Sequence, residues 1–147
     1  MYKKILVALD ASTADQSVVP HVAQLAKLLG SSLLLLHVAD GWVARNYDKL
    51  QLADSEEMKK DRSYLETIAA KLRADGLNVA TKLALGDPPT EVLKAAESED
   101  CDLIAMTTHG HRLIGDIFFG STIEEVRHAS QIPLLIVRSA AKPTPVV

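Results

Sequence analysis

Ile5-Leu6-Val7-Ala8-Leu9-Asp10 sets five apolar residues in an unbroken run and closes them with an acid. A strand with one wet face alternates apolar and polar side chains; a run without polar alternates suits a strand covered by helices on both faces of a parallel sheet. It predicts the central strand, with Asp10 at its exit. Lys3-Lys4 ahead of the run imitates the start of a secretory signal, but the run stops at Asp10 with no small-residue cleavage site, so a buried strand is expected.

Downstream, Ser12 and Asp15 have the spacing of a capping box that opens a helix. Val18, Val22, Leu25 and Leu29 then share one helical face, and Gly30 closes it. Pro20 removes a helical hydrogen bond, which predicts that the regular helix starts close to it or bends there. Ser32 to Ala39 reads as a second buried strand. Residues 40–53, with Gly41, Trp42 and Tyr47, have no clear period and read as a long excursion whose role the sequence leaves open. Met58, Leu65, Ile68 and Leu72 mark a second amphipathic helix ended by Gly76.

A third strand follows in Val79 to Leu85. Gly86-Asp87-Pro88-Pro89 is a turn that places proline at the start of a short helix, where its missing N–H does no harm. Leu103 to Met106 forms a fourth strand, Thr107 to Gly120 a loop or short irregular helix, Ser121 to His128 a helix, and Pro133 to Val137 a fifth strand. Strands alternating with helices demand parallel pairing through right-handed crossovers. The expected architecture is α/β: one doubly wound five-stranded parallel sheet, order 3-2-1-4-5, helices on both faces. Residues 1–139 form the domain and 140–147, with Pro143 and Pro145, a loosely ordered tail. In that order Asp10 and the Thr107 loop converge where the strand order reverses, the usual ligand crevice of such sheets.

Composition narrows the function classes. The 147 residues are 48% hydrophobic and 24% charged, enough for one core and unlike a disordered chain. A net charge of −3 with interspersed signs offers no footprint for nucleic acid or an anionic membrane. No apolar run approaches the roughly 20 residues of a membrane span. Cys101, the one cysteine, excludes an internal disulfide and fits a reducing compartment, so a cytoplasmic location is expected.

Thr107-Thr108-His109-Gly110, nine residues, then Gly120-Ser121-Thr122 is the segment richest in chemistry. Glycine lets backbone approach an anion, and a helix opening at Ser121 would present unpaired N–H groups to phosphate. Ser121 with Glu124 is equally a capping box, and spacing alone leaves both readings open. Gly110 to Gly115 supplies half of a P-loop, but Asp116-Ile117 stands where Lys and Ser or Thr are required. His109 and His111 flank Gly110 without the three or four converging ligands of a metal site. Arg112 and His111 are candidate phosphate contacts, with a solvated Arg112 as the alternative.

Taken together, Ile5 to Asp10 with Ser12, Leu36-His37-Val38, Gly86-Asp87-Pro88, Asp102 to Met106, Gly110, Gly120-Ser121 and Pro133 to Val137 resemble the universal stress protein family over nearly the whole domain. Nucleotide-binding members carry a glycine, two residues, a second glycine, nine residues, then Gly-Ser or Gly-Thr. The resemblance implies that Ala8 and Val38 line an adenine, that Asp10 faces the ribose or, through water, a phosphate-bound Mg, and that Gly110, Gly120, Ser121 and Thr122 hold phosphates. The first motif glycine is here Thr107, whose β-branched side chain resists positive φ. Either the site tolerates an extended residue there or the nucleotide sits less well.

The resemblance further implies a homodimer through the last strand, Pro133 to Val137. A receiver-domain reading fails because Asp10 is a single acid and Leu85-Gly86 offers no phosphoacceptor; Asp10-Ala11-Ser12-Thr13 is a weak flavin phosphate loop. No nucleophile sits beside a base and no carboxylates pair, so the expectation is a non-enzymatic ATP-binding regulatory module. The alternative is a nucleotide-free interaction module of the same fold.

Overall fold

The computed structural model describes residues 1–39, 51–108 and 114–139, with backbone alone for 51–55 and 114–120. Along them run β1 (Lys4–Leu9), α1 (Asp15–Leu29), β2 (Ser32–Ala39), α2 (Gln51–Ala74), β3 (Val79–Leu85), α3 (Pro88–Ser98), β4 (Leu103–Thr108), α4 (Ile114–Ala129) and β5 (Leu134–Arg138). The strands form one sheet in the order β3-β2-β1-β4-β5, as the sequence predicts. Its neighbours pair in parallel, with Ile5 opposite both Leu33 and Leu103.

Strand alternation sorts the core into two layers. Ile5, Val7, Leu9, Leu33, Leu35, Leu103 and Ala105 face α1 and α2. Leu6, Ala8, Leu34, Leu36, Ile104 and Met106 face α3 and α4. Ile5 to Leu9 are all at most 4% exposed, which is why no polar alternate is tolerated in that run. Each such Leu, Ile or Val contributes on the order of 1.5–3 kcal/mol by leaving water.

Local signals fix the ends of the elements. Gly30 takes φ 70° and its N–H reaches the Ala26 carbonyl, a left-handed helix end that suits a residue without Cβ. Asp87 caps α3 by accepting from the Thr90 amide, with Pro88 and Pro89 in the first turn. At the entrance of the sheet, the Asp102 carboxylate accepts the Lys3 amide at 2.8 Å and the Lys4 amide at 3.0 Å, stitching β1 to β4.

Three boundaries differ from expectation. Helix α1 begins at Asp15 and carries Pro20 in its interior, because a buried face of Val18, Val22, Ala23 and Ala26 outweighs one lost hydrogen bond. Gln51–Ala53, assigned from sequence to the excursion, are the first turn of α2; residues 40–50 lie outside the described residues. Most consequential, α4 begins at Ile114, seven residues ahead of Ser121. Phe118, Thr122 and Val126 recur in the sequence every fourth residue, a helical spacing that reaches back into the predicted loop; Thr122 and Val126, in the predicted helix, are buried. The tail, 140–147, also lies outside the described residues.

Candidate functional site at the exit of the central strand

The strand order reverses between β1 and β4, so the crevice beyond their carboxyl ends is where an α/β sheet of this kind takes a ligand. Asp10 stands there, half-buried. Its Oδ1 accepts the Ser12 amide at 3.1 Å and the Ser12 hydroxyl at 2.6 Å, which folds the turn back on the carboxylate. The next residue, Ala11, is left-handed at φ 59°. For a residue bearing Cβ that conformation costs about 1–2 kcal/mol, so something must hold it.

Asp15 holds it. Its Oδ1 accepts the Asp10 amide at 3.1 Å and its Oδ2 the Ala11 amide at 3.0 Å, while Tyr64 from α2 donates its hydroxyl to Oδ2 at 2.6 Å. The predicted capping box is therefore absent: Asp15 reaches past Ser12 to the strand exit, and the Ser12 hydroxyl, engaged with Asp10, accepts from the Ala14 amide at 3.2 Å. Burial first, and the neighbouring Asp10 charge second, push the Asp15 acid up to about 7 despite the Tyr64 and backbone donors. Burial, then the Asp15 charge, also raises the Tyr64 phenol.

A second brace lies alongside. The His37 Nδ1 sits 2.9 Å from the Leu9 carbonyl, and since a carbonyl only accepts, Nδ1 carries the hydrogen. The His37 Nε2 faces the Asp61 carboxylate at 3.8 Å, and burial raises the Asp61 acid while His37 partly offsets it. Asp61 and Tyr64 lie three apart on one face of α2. The strand exit is thus gripped at the Leu9 carbonyl and at the Asp10 and Ala11 amides, each time by a side chain that α2 supports.

Of the predicted site residues, Ala8 and Val38 lie on the same face of adjacent strands, with Ala8 buried at 4% exposure and Val38 partly buried, forming an apolar floor beneath the crevice. Thr107 is an extended strand residue paired with Val137 and is 4% exposed. The replacement of glycine there forces no left-handed backbone, and by alternation its side chain lies on the α1 and α2 face, away from the Ala8–Val38 floor. Its Oγ1 is buried without a hydrogen-bond partner among the described residues.

The expectation that a helix opens on Ser121 is corrected. Gly120, Ser121 and Thr122 are interior to α4, where their amides serve carbonyls four residues earlier and Ser121 is exposed. Gly110, His111 and Arg112 lie outside the described residues. Asp15, Tyr64 and Asp61 were not anticipated as site residues: an acid in a first helical turn reads as a dipole complement, and Tyr64 and Asp61 adjoin a core stripe. Only their placement opposite β1 shows the connection.

The residues present suit a nucleoside: an apolar floor for a base and an acceptor-only carboxylate for sugar hydroxyls. Comparison with known proteins adds the family. A family model described as the universal stress protein family matches residues 1–138. Universal stress protein MJ0577 of Methanocaldococcus jannaschii is 30% identical over 155 aligned positions, covering 94% of this chain and 96% of that one. A solved structure of MJ0577 superposes with a TM-score of 0.80 at 29% identity, over 97% of this chain and 99% of that chain. The universal stress protein of Archaeoglobus fulgidus in complex with dAMP, 22% identical, gives 0.69 over 92% of this chain and 98% of its own. A universal stress protein in complex with cAMP, 19% identical, gives 0.67 over 95% of this chain and 98% of its own. This chain belongs to the universal stress protein family.

Proposed function

We propose that this chain binds an adenine nucleotide, ATP with Mg, in the crevice beyond β1 and β4, and acts as a cytoplasmic regulatory module rather than as an enzyme. The observation that carries the proposal is the Asp10 carboxylate, which accepts two hydrogen bonds from Ser12 in a turn whose Asp10 and Ala11 amides are held by Asp15, at the reversal point of the sheet and beside the apolar Ala8 and Val38. A carboxylate only accepts hydrogen bonds, so it suits ribose hydroxyls and a hydrated cation and repels bare phosphate. Solved relatives that hold dAMP and cAMP support an adenine nucleotide. Phosphates would then lie toward the opening of α4 at Ile114, because the first amides of a helix have no partner within it and the helix dipole favours anions there. Mg would travel with the phosphates and reach Asp10 through water.

The proposed assembly is a homodimer through β5. That strand is the edge of the sheet beyond β4, and its Ile136 is 38% exposed.

Heating the protein with Mg-ATP at about 100 times Kd should stabilise it by about 2.7 kcal/mol, a rise in Tm of roughly 5–10 °C for a chain of this size. The second reading, an interaction module without nucleotide, is favoured by the placement of Gly120–Thr122 inside α4, where the helix ladder occupies their amides. An unchanged Tm with ATP, dAMP and cAMP would establish it.

A further inference from the structure

We propose that Asp15 and Tyr64 are positioning residues for the nucleotide site, which hold the Asp10–Ala11 turn in its left-handed form and so aim the Asp10 carboxylate into the crevice. The inference rests on the nucleotide reading and deepens it. Nothing in β1 itself keeps Ala11 at φ 59°; the restraint comes from outside the strand. The Asp15 carboxylate collects both amides of the turn, at 3.1 and 3.0 Å, and is 2% exposed, so no solvent competes for them. Tyr64 donates its hydroxyl at 2.6 Å to Oδ2, the oxygen that also accepts the Ala11 amide. If the Tyr64 hydroxyl is removed, Asp15 keeps its backbone bonds but loses the contact that sets its angle. If the Asp15 carboxylate becomes an amide, one of the two backbone donors meets an N–H instead of an acceptor.

The groups that face Asp15 come from two places: the turn beyond β1, with the Asp10 side chain and the Asp10 and Ala11 amides, and Tyr64 on α2. A carboxylate aimed at a sugar is read through the sugar's hydroxyls. Loss of aim therefore weakens a ribonucleotide more than its dideoxy counterpart, whereas loosening of the fold weakens both alike.

The test is isothermal titration of the full chain and of its Tyr64→Phe and Asp15→Asn variants with Mg-ATP and with Mg-2′,3′-dideoxy-ATP. The expected result is that wild type prefers ATP. Tyr64→Phe should lower ATP affinity about three- to tenfold, the range of one neutral hydrogen bond, with dideoxy-ATP changed less than about twofold. Asp15→Asn should act in the same direction and more strongly; if it fails to fold, Tyr64→Phe, which loses a single hydroxyl, decides the matter. Equal losses for both nucleotides, or no loss in a folded Tyr64→Phe variant, overturn the positioning role and leave nucleotide binding standing. Wild type that binds both nucleotides equally well does the same. Wild type that binds neither overturns the nucleotide reading and the positioning role with it.

Discussion

Asp15 shows how a single buried group can govern both stability and geometry. Unfolded, its acid ionises near 3.8; folded, burial and Asp10 raise it to about 7. Between those values the folded chain holds the extra proton, so the associated stability is full below about pH 4 and is lost as pH rises through about 7. Asp61, also raised, has the same sign. Urea unfolding should therefore give a lower midpoint at pH 8 than at pH 5, and Asp15→Asn should flatten most of that difference. A wild-type midpoint that rises over this interval would contradict the assignment. Asp10 was legible in the sequence because an acid ending an apolar run is conspicuous. Its partners were not, because the link from Tyr64 to Asp15 spans 49 positions and has no periodic signature.

At the scale of elements, the strands were the readable part: unbroken apolar runs such as Leu33 to Leu36 admit one interpretation once both faces are covered. The opening of α4 was not, since Gly110, Gly115 and Gly120 suggest a loop while the four-residue stripe from Phe118 to Val126 specifies a helix, and the stripe prevails. Glycine inside a helix costs roughly 0.5–1 kcal/mol relative to alanine, so Gly120→Ala should stabilise the nucleotide-free protein by about that much in a urea melt. A destabilised variant would contradict this expectation. Helix α3 offers a complementary check. Asp87 accepts from both the Thr90 amide and its hydroxyl, the latter at 2.6 Å, and Asp87→Ala should cost about 1 kcal/mol in the same assay.

Across the whole molecule, helices layer both faces of the sheet, and among the described residues β3 and β5 form its two margins. The apolar β5 margin, with Ile136 outward on the face of Leu134, is the one assigned to the dimer. Ile136→Lys should yield a folded monomer by light scattering at micromolar concentration, with Tm lowered only by the lost association. The sheet order was legible because alternating elements leave few topologies; the proposed self-association comes only from family resemblance, since one chain's sequence does not show what covers an edge. The register of Ile5 with Leu103 has a further consequence for how the chain is made. Of the five strands of this sheet the innermost is made first, and its second neighbour is translated about a hundred residues later, so a growing chain stopped before β4 should remain protease-sensitive and in need of chaperone shelter until residue 108 has emerged.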